Sequence, residues 1–282
     1  MVVLAETPAP SPTPDPEPGE ATPEPDMVFE EDGDIYFSEA YKTGFTTKPF
    51  SFDHPPRVLI YHTHAREAFR DTSIAAAAAT PDAPIKGDST QAAATPAPTA
   101  GPSVRSTDRN RNVVHIGELL AEALEQRGFA VIHDGTDVET SDLSTAYTRS
   151  RRVMEQYADI DLYIDLHRNA ASGERAKNDV VTLEGKRVAR LFFVVGTGLT
   201  ADTDAGELPN WKRNYTLALS LYEQLRAVDR GLVKENRMKQ KAYNQDLGLS
   251  LLCEIGHNAN LLSDVENTVP YLADALAAVI RF

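Results

Sequence analysis

Histidine and carboxylate side chains recur in this 282-residue chain at the ends of short apolar runs. The first case is Arg57-Val-Leu-Ile-Tyr-His-Thr-His-Ala-Arg-Glu67. Val58, Leu59, Ile60 and Tyr61 have the length and β-rich composition of a buried strand, and polar residues end it abruptly. His64 and Glu67 are three apart, so one helical turn or a tight loop lets both face a single point. A neutral imidazole nitrogen and a carboxylate oxygen suit one Zn2+ ion. The pattern returns twice, where residues 161–166 lead to His167 and residues 249–253 lead to Glu254. Three strand ends, each with a potential ligand or base, read as a zinc hydrolase.

Each residue also has a plainer reading. His64 and Glu67 could be a surface pair, and His167 a core histidine. Glu254 resists such a reading. A carboxylate closing Leu251-Leu252-Cys253 would be buried without compensation unless it served a metal, a proton or an Arg. His62 also ends the first strand and could compete as a ligand. It is expected on the face opposite Ile60, behind the ligands or against substrate. His54, His115, His133 and His257 lack comparable partners, and His115 and His133 are expected to be structural or exposed.

The elements that must position these groups alternate along the body of the chain. Val113, Ile116, Leu120 and Leu124 share one face of a helix over 113–126, Gly128 stops it, and 129–132 is the next strand. A basic amphipathic helix over 143–157 leads to a strand over 162–166. Residues 180–183 and 190–195 read as strands joined by a turn at Glu184-Gly185-Lys186. A helix over 214–228, a strand over 249–254 and a closing helix over 262–280 complete the pattern. Alternating strands and helices predict an α/β fold, with a mostly parallel central sheet and helices on both faces. In open sheets of this kind sites gather at the carboxyl ends of strands, where His64, His167 and Glu254 lie.

Composition limits the setting. Ten of the acids lie in residues 1–34, which hold no Lys or Arg, so residues 35–282 carry only −4 of the net −14. That pattern is an acidic tail on a near-neutral body, without the basic stripe that nucleic-acid binding requires. Proline alternates with acids, Ser and Thr over 6–26, the composition of an extended spacer, and 1–34 is expected to be disordered. A spacer suggests an anchor preceding it. No run of eighteen apolar residues occurs, so the chain reads as soluble without that anchor. Residues 71–107, rich in Ala, Thr and Pro, read as a low-complexity insertion in a catalytic domain over 35–282, either a flexible loop or a substrate lid. Cys253 is the single cysteine. It excludes an internal disulfide and a Cys-rich zinc finger, and is expected to be a small buried hydrophobe.

Ile60-Tyr-His-Thr-His64 with Glu67, Asp165-Leu-His-Arg168, Tyr243-Asn-Gln-Asp246 and Glu254-Ile-Gly256 together resemble the stage II sporulation protein P family, from about Arg57 to the carboxyl end apart from the insertion. The resemblance implies a membrane-anchored, extracytoplasmic peptidoglycan hydrolase of sporulation engulfment, facing the wall between mother cell and forespore. It implies N-acetylmuramoyl-L-alanine amidase and stem-peptide endopeptidase activity, a zinc amidase or carboxypeptidase-like fold, and the transglycosylase SpoIID as partner. Ala65, Arg66 and Ala68 surround Glu67 where the family often has Ser or Thr, and Asn169 stands where Asp is expected. In the related amidases the carboxylate ligand can also come from a position corresponding to residues 108–112.

On this reading His64, Glu67 and His167 hold Zn2+, and Glu254 is the general base that passes a proton from water to the departing amine. Arg168 stabilises the oxyanion or binds a stem-peptide carboxylate; its alternative is a salt bridge to Asp165. Asn258 and Asn260 bond substrate or cap the next helix. Two rivals stay open. One is a zinc-stabilised wall-binding scaffold without activity. The other is an exopeptidase, in which Arg168 or Arg149 would hold the terminal carboxylate.

Overall fold

The computed structural model describes residues 26–70, 105–170, 179–201 and 206–282. Most of the expected spacer (1–25) and of the expected insertion (71–104) therefore lies outside the described residues. Three of four parallel strands carry the motifs, β4 (Arg57–Tyr61), β6 (Leu162–Asn169) and β11 (Leu249–His257), with β5 (Ala130–His133) beside them. They lie in the order β11-β6-β4-β5 within an eight-stranded sheet. β4, β6 and β11 are buried along nearly their whole length, which accounts for their continuous apolar runs.

Side-chain alternation divides the sheet into two unlike faces. Val58, Ile60, Ile164, Leu166, Leu251 and Cys253 point into the main core. There they meet three long helices: α2 (Val113–Glu125), α4 (Trp211–Val228) and α6 (Val269–Val279). Asn112 begins α2 by accepting from the Val114 N–H at 3.0 Å, and Gly128 ends the turn behind it with φ of +91°. Cys253 is fully buried, as expected of a small hydrophobe. Among the described residues the other face carries one helix of this kind, α3 (Ala146–Met154), whose Met154 packs on Leu59, Tyr61 and Tyr163. The expected α/β sheet is present, with helices on both faces, three long ones against one among the described residues.

Several expected elements differ in detail. The turn at Glu184-Gly185, where φ is +51° and +76°, joins β7 (Val180–Leu183) to β8 (Lys186–Ala189) in a separate hairpin. The chain then enters the main sheet as β9 (Leu191–Gly196), antiparallel to β11. The single closing helix is two, α5 (Leu262–Glu266) and α6, because Pro270 in the first turn of α6 cannot continue a helix from before it.

The edge of the sheet corrects the expected tail boundary. β1 (Met27–Phe29) lies within 1–34, pairs with β2 (Asp34–Phe37), and β2 pairs with β10 (Arg237–Lys239) beside β9. Charge density made this segment read as a tail. Its alternate apolar residues instead bury Ile35 and Phe37, and Phe37 lies 5.7 Å from the Trp211 ring and 5.6 Å from that of Tyr215. Among the described residues no helix is long and apolar enough to cross a membrane.

Candidate active site

The site occupies the α3 face at the carboxyl ends of β4, β6 and β11. After β4 the chain makes a tight turn in which the Glu67 N–H donates to the His64 carbonyl at 3.1 Å. The turn is tied down by the Val113 N–H donating to the Glu67 carbonyl, 2.8 Å, and by the Arg66 N–H donating to Glu139, 2.8 Å. It thus brings His64 and Glu67 to the end of β6. There Glu67 Oε2 accepts from the Arg168 N–H at 2.9 Å and stands 3.4 Å from His167 Nδ1. The His64 and His167 rings are 5.3 Å apart between centres and nearly perpendicular. Glu254 is the register partner of His167 on β11, and alternation points both toward that face. His64, Glu67, His167 and Glu254 are therefore brought together.

Asp165 was missed as a member of this group. It lies two residues before His167 on the same strand, hence on the same face, and its Oδ1 is 3.0 Å from His167 Nε2. The Thr63 N–H and Oγ1 donate to its carboxylate at 2.9 and 2.7 Å. The signal was available as the Asp-x-His spacing in a strand, whose period of two stacks the side chains.

The electrostatics divide these residues by task. Burial would depress His167, but the Asp165 and Glu67 carboxylates outweigh it and hold the imidazole well above its ordinary value. Burial also pushes Asp165 and Glu67 up, and the neighbouring imidazolium and hydrogen bonds overcome it, keeping both ionised. His64 is pushed down, first by burial and then by the charge of His167, and stays neutral. Glu254 is pushed up to about 7 by burial, with the negative charges of Glu67 and Asp165 adding to the effect. One carboxylate near neutrality beside two that stay ionised is the separation that general base chemistry needs.

The donor set suits a divalent cation. Among the described residues, His64 Nδ1 and Glu254 Oε2 are buried without a hydrogen-bond partner, His167 Nε2 faces only the Asp165 carboxylate, and three carboxylates in one pocket call for positive charge. Among the described residues, no three His, Cys, Asp or Glu side chains stand at the mutual spacing of metal ligands. The His167 ring is turned instead to Asp165 and Glu67.

Other expected residues lie elsewhere. His62 shares the face of Ile60, contrary to expectation, because alternation runs 58, 60, 62. Its Nδ1–H donates to the Leu166 carbonyl at 3.0 Å, so its Nε2 accepts from His133 Nε2 at 2.9 Å. Both rings are packed against Gly117 of α2, away from the substrate side. Asn260 is buried, accepting from the His257 N–H at 2.8 Å, and so braces the chain rather than meeting substrate. Asn258 is half-buried, its N–H donating to the Asn169 carbonyl at 3.2 Å beside the end of β6.

Arg168 follows His167 and points to the other face. Its Nε donates to the Ala68 carbonyl at 3.0 Å and its Nη1 to the Asn169 carbonyl at 3.1 Å, which pins the Glu67 turn to β6. The guanidinium also feels the charges of Glu67 and Glu254. Asp165 does not pair with it. Arg149 is likewise taken up by the Val138 and Asp142 carbonyls and by Thr145. A wall that sequence reasoning did not foresee closes the pocket. The Tyr147 ring of α3 stacks on His167 at 6.4 Å and meets His64 edge-on at 5.9 Å, and Tyr243 stands 5.3 Å from Tyr147.

Known proteins bear on this arrangement. The model of the family Stage II sporulation protein P (SpoIIP) matches residues 20–277. Stage II sporulation protein P of Bacillus subtilis (strain 168) is 24% identical over 279 residues, covering 91% of this chain and 61% of that protein. The chain thus spans under two thirds of the length of that relative. Among solved structures, the CwlD amidase from Clostridioides difficile in complex with the GerS lipoprotein overlaps 79% of this chain and 94% of its own, with 16% identity and a TM-score of 0.40. An N-acetylmuramoyl-L-alanine amidase from Clostridium difficile 630 overlaps 80% of this chain and 95% of its own, with 14% identity and a TM-score of 0.39. Since the matched region contains all three strand-end motifs and the sheet that carries them, the chain belongs to the stage II sporulation protein P family.

Proposed function

We propose that this protein is a zinc-dependent peptidoglycan hydrolase of sporulation engulfment, which cleaves the N-acetylmuramoyl-L-alanine amide bond and stem-peptide cross-links. The observation that carries this reading is Glu254. It is a half-buried carboxylate held near neutrality, with one fully buried oxygen that has no partner among the described residues, beside His167, whose ring is 5.3 Å from that of His64. A stable fold does not retain such a group for packing, since burying an unpaired carboxylate costs several kcal/mol, roughly 2–7 even for a neutral polar group. A non-catalytic scaffold has no use for a base in this state.

His64, Glu67 and His167 would hold the ion. When bound, zinc supplies Lewis acidity that polarises the scissile carbonyl and acidifies water. Glu254 takes a proton from the attacking water and returns it to the departing amine. Asp165 fixes the ring orientation of His167 and strengthens it as a donor, while Thr63 holds Asp165. The Tyr147 wall excludes water from one side of the histidine pair. An extracytoplasmic location, membrane attachment and cooperation with SpoIID at the wall belong to the same proposal, supported by the family and by the spacer-like composition of the amino-terminal stretch.

Digestion of purified sacculi tests it directly. Mass analysis of the soluble products is expected to find stem peptides with a free L-alanine amino terminus and, in addition, separated cross-links. Intact sacculi after treatment with zinc-loaded protein overturn the reading.

A further inference from the structure

The wall beside the histidines carries a cation. Lys241 is exposed, and its ammonium stands 4.4 Å from the centre of the Tyr147 ring and 5.4 Å from that of Tyr243. Among the described residues no carboxylate pairs with it. Tyr147 is the ring that touches both His64 and His167, so Lys241 lies one aromatic ring away from the reacting centre.

The segment that presents it is built with unusual care. Tyr243 and Asn244 both take left-handed backbone conformations, φ of +52° and +57°, which non-glycine residues adopt only when their surroundings enforce it. The enforcement is visible. Asn244 Nδ2 donates to the Tyr147 carbonyl at 2.8 Å, tying the segment to α3. The buried Gln245 side chain accepts from the Gly196 N–H at 2.9 Å and donates to the Val194 carbonyl at 3.0 Å, tying it to β9. Gly196 is required here, because a Cβ would lie 2.4 Å from the Lys241 carbonyl oxygen. Two anchored tyrosine faces and a strained, braced backbone hold one ammonium at the mouth of the pocket.

From this geometry we infer that Lys241 is a specificity residue that binds a carboxylate of the muramoyl stem peptide, with Tyr147 and Tyr243 fixing where that carboxylate sits. The inference rests on the peptidoglycan reading above. It supplies a cation for the role in which Arg168 or Arg149 was expected, both of which donate to neighbouring backbone carbonyls.

Calorimetric binding of a muramoyl tripeptide to the zinc-loaded Glu254→Gln protein avoids turnover and tests the inference. Adding Lys241→Gln is expected to weaken Kd about tenfold, the scale of one charge-assisted hydrogen bond, while Lys241→Arg largely restores it. The weakening should vanish for a peptide amidated either at its isoglutamate carboxylate or at its carboxyl terminus, and whichever amidation cancels it identifies the group bound. Equal Kd values with and without Lys241, a Lys241 effect untouched by both amidations, or no measurable binding of the free acid each overturn it. Wild-type protein that binds the peptide in this charge-dependent way yet leaves sacculi intact would remove the hydrolase reading and keep the carboxylate site.

Discussion

Glu254 and His167 are register partners on adjacent parallel strands, β11 and β6. Two residues 87 positions apart are thereby fixed side by side at one sheet end, by backbone hydrogen bonds rather than by a loop. The pairing separates their tasks, with His167 charged between two ionised carboxylates and Glu254 held near 7.

Glu254→Gln keeps the shape and removes the proton acceptor. Zinc content is expected to stay unchanged while turnover falls about 10²-fold or more. Elemental analysis alongside muropeptide release checks both halves. Loss of zinc would make Glu254 a ligand and reopen the assignment of Glu67.

His167→Ala deletes a proposed ligand, so metal and turnover should disappear together. Asp165→Asn leaves that proposed ligand in place but weakens its orientation, with an expected loss of about 10–100-fold in zinc affinity. Competition with a chelator measures it. An Asp165→Asn protein with wild-type zinc affinity would show that Asp165 serves only the fold.

Gly117→Ala in α2 should be destabilising. In an exposed helix this change gains up to about 1 kcal/mol. Here the new Cβ would lie 2.6 Å from His133 Nε2 and 2.7 Å from His62 Nε2. Overpacking of this kind costs about 1–3 kcal/mol, so a lowered Tm is expected. A raised Tm would mean that the imidazole pair yields easily.

The same pair makes stability sensitive to acid. Burial, with the charge of His133 adding to it, lowers His62 to about 3, and burial lowers His133. Protonating His62 Nε2 would set two N–H groups against each other. Unfolded imidazoles titrate near 6.5, so below that value the unfolded chain binds more protons than the folded one. The contribution is complete above about 6.5 and is lost as pH falls toward 3, at up to about 1.4 kcal/mol per pH unit for one such group. Urea midpoints from pH 7.5 to 4.5 and the NMR titration of His62 check this. An imidazole titrating at its ordinary value would contradict the burial argument.

Sequence alone determined the three motif-bearing strands, the helices between them and the gathering of His64, Glu67, His167 and Glu254. Hydrophobic runs of strand length and helical periodicity are local properties, and parallel strands present their carboxyl ends together. Tertiary structure decided what depends on face and register. Alternation in the folded sheet turned His62 and Arg168 away from the pocket and Asp165 into it. The edge strand at Met27–Phe29 pairs with Asp34–Phe37, which joins the sheet by pairing with Arg237–Lys239 far along the chain, a non-local reason that the acidic surroundings conceal. Tyr147, Lys241 and Tyr243 meet only because α3 packs on the site face and the 241–246 segment is tied to β9. Nearly a hundred residues separate the two tyrosines in the chain, and a contact over that distance leaves no periodic trace in either segment.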